Sequence, residues 1–423
     1  MDSPLRNIPG LDAIETPAYV YDLDEVRRAY GLLRAALPAP SRLFYSLKAN
    51  PHPAIVRLLV ALGCSVEVCS PGELAVAVQA GVERARILYT GPGKRDRDVA
   101  EAVRSGVQWF SVDSPHGLDQ VDVVAGSAGL PARCLLRVNE PARLTGQALA
   151  MTGPSAFGAE TAWIEAEPSR FRTRDAAALA GFHFYLGSNL SDEDALVAQF
   201  ASAVRTARRL ADVLEVEPEL LDLGGGFAAP FARSGVLPCL ADLAGRVADL
   251  LDGAFPGWTD GRPVVAFESG RYLTGTCGSL LTRVLDVKRS HGQPVVVLES
   301  GINHLGGMSG LRRLPPIVPD LYPADRAATA ASDRPGSEPV MTNAVVAGPL
   351  CTPLDTWARS ATLDTVRPGD VVRVPNVGAY GLYASLLAFL GHPAPREVVL
   401  DGGRVTDVSQ LTLVRRRSED GTR

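Results

Sequence analysis

Lysine is almost missing from this chain. Of 42 basic residues only Lys48, Lys94 and Lys288 are lysines, and the other 39 are arginines. Such lysine-poor, Ala/Arg-rich usage is what a GC-rich coding sequence would produce. A lysine kept against the bias is a place to look for chemistry that a guanidinium cannot perform. Cysteine pairs are missing as well. The six cysteines, at 64, 69, 134, 239, 277 and 351, are scattered and form no CxxC unit, which fits reduced thiols and no metal better than a zinc site or a disulfide framework. Cys64, Cys69, Cys134, Cys239 and Cys277 read as small buried apolar residues.

No run approaches the roughly 18 apolar residues of a membrane span. Residues 1–12 carry charges and prolines in place of a signal-type apolar core, so a cytoplasmic, non-membrane protein is expected. A Lys/Arg block is missing too. With net charge −5 and pI ≈ 5.8, a nucleic-acid surface is not expected. The apolar fraction of 46% against 21% charged residues excludes disorder as the main state. A length of 423 residues implies more than one domain.

The chain does have rhythm. Eight β-rich runs, at 42–47, 65–68, 86–89, 108–112, 133–138, 181–186, 220–223 and 264–267, alternate with helical stretches such as 54–62, 71–80, 97–105, 192–213 and 240–251. Alternation of this kind implies parallel strands, and eight repeats in this length suit an α/β fold of the (β/α)8 TIM-barrel type. From about 275 the pattern changes. Short runs at 281–287, 294–298, 340–346, 371–374 and 397–400 lie between Gly/Pro turns and predict a mostly antiparallel β domain. A strand at 18–21 is expected to join it, so that both chain ends build that domain. The expected division is 1–30, an N-terminal strand of the β domain; 31–270, the barrel; and 271–423, the C-terminal β domain. Residues 323–339 read as a loop, and the 139–180 connection is long enough to shape an entrance.

Active sites of such barrels sit where the strands end. Here the ends carry Lys48, Glu67, Arg137, His183 with Tyr185 and Ser188, Gly224-Gly225-Gly226, and Glu268-Ser269-Gly270-Arg271. A lone lysine is more often an ion-pair partner, and a lone glycine triplet more often a turn. Their combination is what pyridoxal phosphate demands: an amine for its aldehyde, a cradle for its phosphate and a partner for its ring nitrogen.

The segments Tyr45-Ser46-Leu47-Lys48-Ala49-Asn50, His183 to Ser188, Leu223 to Phe227, Glu268 to Arg271, Gly348-Pro349-Leu350-Cys351 and Gly378-Ala379-Tyr380 resemble, in order, those of the fold-type III pyridoxal phosphate decarboxylases. That family shares the alanine racemase barrel and includes ornithine and diaminopimelate decarboxylases. The resemblance implies that Lys48 bonds the cofactor aldehyde. It implies that Ser188, Gly225, Gly226, Arg271 and Tyr380 hold the phosphate, with Gly270 beside them, and that Glu268 meets the ring nitrogen. Cys351 would be the proton donor, entering from the other subunit of a head-to-tail homodimer. Glu67 and Arg137 are expected near the cofactor or in structural ion pairs. A carboxylate at the ring nitrogen favours decarboxylation over racemisation, in which family relatives place arginine there.

Two departures stand out. Tyr185 occupies the place of the family's ring-stacking histidine, with His183 on the same side of the strand two residues earlier, as a supporting residue. Thr352 replaces the acidic residue that receives a substrate's distal amine, which disfavours free ornithine, lysine or diaminopimelate. The expected substrate, met by Cys351, Thr352, Asp355 and Tyr380, is therefore an amino acid or amino-acid conjugate. The segments around Cys351 and Glu268 resemble the biosynthetic branch holding the butirosin glutamyl-carrier decarboxylase and siderophore citryl-diaminopropionate decarboxylases, so an acyl-carrier protein is a candidate partner. The alternatives are a diaminopimelate or ornithine decarboxylase of primary metabolism, a racemase and a non-catalytic binder of the same fold.

Overall fold

Eight short strands in parallel register close into a ring in this computed structural model, which describes residues 14–140, 149–150, 154–306, 317–324 and 340–415. In chain order they are β2 (Arg42–Ser46), β3 (Ser65–Val68), β4 (Ile87–Tyr89), β5 (Trp109–Val112), β6 (Ala132–Asn139), β7 (Ala177–Phe184), β8 (Leu220–Asp222) and β9 (Val264–Ser269). Each pairs with the next, and β9 returns to β2. All eight expected strands are present, and the (β/α)8 barrel is borne out.

Strand interiors explain the closure. Phe44, Leu88, Leu135, Leu220 and Ala266 fill the barrel as one buried cluster, so the interior is a packed core rather than a channel. The surrounding helices start by a repeated device. A capping side chain followed by proline opens α2 (Pro53–Ala61), α3 (Pro71–Gln79) and α5 (Pro115–Ala128), where His52, Ser70 and Ser114 each accept a backbone N–H of the first turn. The ring locks φ and lacks the N–H that would be unpaired there, so proline is suited to that position. The remaining α-helices among the described residues are α1 (Leu23–Ala36), α4 (Asp96–Arg104), α6 (Thr161–Ala166), α7 (Glu193–Leu214), α8 (Leu243–Ala254) and the single turn Arg271–Thr274.

The chain divides into two compact units. The barrel unit comprises residues 26–229 and 236–274. The second comprises 1–25, 230–235 and 275–423. It is built on β1 (Ala18–Asp22), β10 (Gly278–Ser290), β11 (Gln293–Leu298), β12 (Val340–Ala347), β13 (Thr356–Asp364), β14 (Val371–Val374), β15 (Arg396–Asp401) and β16 (Arg404–Gln410). Strand β1 lies between β10 and β15, antiparallel to the first and parallel to the second. The sheet from both chain ends is thus present, antiparallel apart from the β1–β15 and β11–β12 pairs. Ala18, Val20, Leu281, Val398 and Leu400 form its buried centre.

Of the expected 323–339 loop, 325–339 lie outside the described residues, while Tyr322–Pro323 pair with β14. The 139–180 connection holds α6 and a 3-10 turn at Pro168–Phe171, with 141–148 and 151–153 outside the described residues. Residues 1–12 also lie outside them. One expectation is corrected: Cys239 is exposed, whereas Cys64, Cys134 and Cys277 are buried. Cys239 follows Leu237 and Pro238 in an irregular segment ahead of α8, where no helical or strand period turns the side chain inward.

Candidate active site

Parallel strands all end on the same face, and the register decides which ends touch. Ser46 stands opposite Glu67, Arg137 opposite His183, and His183 opposite Asp222. Lys48 follows β2 in a single 3-10 turn, Leu47–Ala49. Its Nζ lies 3.5 Å from Glu67 Oε1 and 5.1 Å from the centre of the Tyr185 ring.

Glu67 is buried and heavily hydrogen-bonded. Ser46 Oγ donates to Oε2 at 2.5 Å and Thr90 Oγ1 to Oε1 at 2.7 Å. Burial alone would raise its pKa, but the Lys48 ammonium, those two hydroxyls and His183 outweigh it and bring it to about 2. Glu67 therefore holds Lys48 as a charged partner would. Cys69 also joins this cluster, its Sγ 3.1 Å from Thr90 Oγ1. Burial, with Glu67 beside it, pushes that thiol well above its ordinary value. Cys69 is thus a neutral polar member of the site, not plain apolar filling.

A second cluster lies on β7, β8 and β9. His183 Nδ1 and Ser111 Oγ are 2.7 Å apart, and His183 Nε2 comes within 3.1 Å of Glu268 Oε1 without the alignment for a hydrogen bond. Both oxygens of Glu268 are buried and lack a hydrogen-bond partner. A carboxylate left so is costly until a donor arrives.

The glycine loop forms the third element. Gly224 and Gly226 have φ of 75° and 110°, in the left-handed region. A Cβ on Gly225 would stand 2.3 Å from the Glu268 carbonyl oxygen, so only glycine lets this loop run against the end of β9. Gln199 on α7 donates to Gly225 O at 2.8 Å and fixes the loop. A Cβ on Gly226 would meet Gly187 O at 3.0 Å, which places Gly187–Ser188 alongside. Gly270 is equally tight, its missing Cβ 2.6 Å from that of Ala49, and Arg271 opens the short helix Arg271–Thr274. Arg137 is buried with its guanidinium 4.6 Å over Phe157, and among the described residues no acid pairs with it.

In the second unit, Cys351 is exposed on the loop between β12 and β13. Asp355, expected beside the substrate, is buried and builds that loop: its carboxylate accepts Ile302 N–H and Leu350 N–H, each at 2.8 Å. Thr352 Oγ1 accepts Leu354 N–H at 3.3 Å. Tyr380 has φ 56° and is half-buried.

Sequence reasoning meets Ser46 and Thr90 at strand ends without giving them a role, and it missed Ser111, Gln199 and Asp222. Asp222 had a signal, an acid inside the apolar run Leu220-Leu221-Asp222-Leu223. The barrel-face residues fit pyridoxal phosphate: an amine at Lys48, a backbone cradle that a side chain at 225 would fill, and an acceptor pair at Glu268 with no donor of its own. Among the described residues no helix is long and apolar enough to cross a membrane.

Residues 23–275 match the family described as pyridoxal-dependent decarboxylase, pyridoxal binding domain. The L-glutamyl-[BtrI acyl-carrier protein] decarboxylase of Niallia circulans is 31% identical over 92% of this chain and 90% of that protein. The 2-[(L-alanin-3-ylcarbamoyl)methyl]-2-hydroxybutanedioate decarboxylase of Staphylococcus aureus is 28% identical over 90% of this chain and 93% of its own. Among solved structures, diaminopimelate decarboxylase from Helicobacter pylori complexed with L-lysine superposes with a TM-score of 0.78 at 23% identity, covering 94% of each chain.

Proposed function

The chain belongs to the pyridoxal-dependent decarboxylase family, and from that premise we propose that it decarboxylates an α-amino acid whose distal end is conjugated, a glutamyl group on an acyl-carrier protein being the leading instance. It is a carboxy-lyase, and its cofactor is pyridoxal 5'-phosphate. When bound, the cofactor supplies the electron sink for the bond that releases CO2.

The chain's own residues take the following parts in this reading. Lys48, held by Glu67, presents the amine that bonds the cofactor. Ser188, Gly225, Gly226 and Arg271, with Gly270 shaping the turn, bind the phosphate, and Tyr380 completes its anchoring. Glu268 accepts a hydrogen bond from the ring nitrogen and so keeps the proton on that nitrogen, Tyr185 gives an aromatic face, and Arg137 lies by the cofactor. Cys351, from the second copy of a head-to-tail homodimer, delivers the proton to Cα. The division into a 31–270 catalytic barrel and a β domain from both ends belongs to the same reading, as does a cytoplasmic setting.

The observation that carries the substrate class is Thr352 beside Cys351. A neutral hydroxyl offers no ion pair to a distal ammonium. The two curated relatives quoted above, whose names specify an acyl-carrier-bound glutamyl group and an amide-linked alanine unit, support it. The test is CO2 release from carrier-bound glutamate, citryl-diaminopropionate, free glutamate and free diaminopimelate. Release from either conjugate in preference to the free amino acids is expected. Faster release from free diaminopimelate or free glutamate overturns the assignment.

A further inference from the structure

Asp222 ends β8 and is fully buried. Its Oδ1 accepts the Gly224 N–H at 2.9 Å, while Oδ2 has no partner. Glu268 contributes two more buried oxygens without a hydrogen bond. One oxygen of each carboxyl and one nitrogen of His183 lie within 4.8 Å of one another. Three buried acceptors without a hydrogen bond need protons, and one proton between the two carboxyls satisfies two of them.

The charged and titratable groups around Asp222 decide where that proton resides. Glu268 on β9 and Glu67 on β3 are negative neighbours, Arg42 on β2 acts from the positive side, and His183 stands beside it on β7. Burial first, then Glu268, raises Asp222 well above the carboxylate range, against the Gly224 N–H, which lowers it.

We infer that Asp222 is a positioning residue: its carboxyl keeps one proton and donates it to Glu268, so that the pair carries a single negative charge and one Glu268 oxygen stays free. That charge matches the one positive charge a protonated ring nitrogen brings. Two ionised acids there would leave a second charge buried and unmatched. The inference deepens the reading of Glu268 as the ring-nitrogen partner and rests on it.

The test uses the full-length protein and pyridoxal 5'-phosphate itself. Dissociation constants and the absorbance of the bound cofactor are followed between about pH 6 and about pH 9, with far-UV circular dichroism as the check on folding. Asp222→Asn keeps a neutral donor and the Gly224 acceptor, so it is expected to bind within about threefold of the parent and to give the same absorbance profile against pH. Asp222→Ala is expected to bind at least about tenfold more weakly. Asp222→Asn as weak as Asp222→Ala, or with a displaced pH profile, overturns the inference. If Asp222→Ala does not fold, Asp222→Asn against the parent decides alone, because an ionised Asp222 would make that change alter the site charge and move the profile. Glu268→Gln separates the two layers. Unchanged binding and spectrum in Glu268→Gln refute the ring-nitrogen reading whatever Asp222 does.

Discussion

Glu397 of β15 should make the protein less stable as the pH rises from about 4.5 to about 7. It is buried, accepting hydrogen bonds from Tyr21 at 3.1 Å and from Tyr383 at 2.9 Å. Burial pushes its pKa from 4.5 to about 7, against those two hydroxyls, which pull it down. Between these values the folded chain keeps a proton that the unfolded chain releases, so unfolding becomes easier with each step upward. The stabilisation is complete below about pH 4.5 and lost as the pH climbs through about 7. A difference of about 2.5 in pKa, at about 1.36 kcal/mol each, comes to about 3 kcal/mol. Glu397→Gln keeps an acceptor for the tyrosines and removes the titration. Urea unfolding of parent and variant at about pH 5 and about pH 8 isolates the term, because every other titrating group cancels in the double difference. The parent should lose up to about 3 kcal/mol more than the variant over that interval. Parallel losses, or a variant that is the less stable protein at about pH 8, would refute the reasoning.

Other expectations concern the site. Lys48→Ala should abolish the visible absorbance of bound cofactor while leaving the far-UV spectrum unchanged; retained absorbance would remove Lys48 from its role. Gly225→Ala forces a methyl to 2.3 Å from the Glu268 carbonyl and should lower stability by about 1–3 kcal/mol, together with cofactor affinity. Gly245→Ala is the matched control: it lies within α8 with nothing inside 4 Å of its missing Cβ, and chemical unfolding should find it more stable by about 0.5–1 kcal/mol. Cys351→Ser should depress kcat at least about tenfold with the cofactor dissociation constant unmoved, since a hydroxyl is a poorer proton donor than a thiol near neutral pH. An unaltered kcat would take the proton donation away from Cys351.

How far the sequence reaches can be traced strand by strand. The barrel strands were legible because short apolar runs alternate with long helical periods, and 65–68 and 371–374 coincide with β3 and β14. Strand β7 begins earlier than expected, at Ala177, where Ala-Ala-Leu-Ala lacks the β-branched residues that mark a strand. Strand β16 was missed because it is almost entirely exposed on the sheet edge and has no apolar face to show a period. Helix α5 was missed as well, since Gly117 and Gly126 interrupt a helical reading that tertiary packing overrides. At the site, side chains with an intrinsic chemical identity, Lys48 and Glu268 above all, were visible at once. Ser46, Thr90 and Ser111 were not, because a hydroxyl on a strand becomes part of a site only through the register that sets it beside an acid.

The three lysines occupy three different settings. Lys288 is exposed in the β unit beside Asp286, Lys94 is spent on the carbonyls of Gly91 and Ser111, and Lys48 waits at the barrel mouth beside Glu67. For an amine-reactive label this protein is therefore a counter with very few digits. On the proposed role of Lys48, Lys288 should react regardless of loading, Lys94 late, and Lys48 only while no cofactor holds it. The difference in mass added with and without cofactor, in which the α-amine and Lys288 cancel, would then report occupancy of the site, a measurement that an ordinary lysine-rich surface would bury in background.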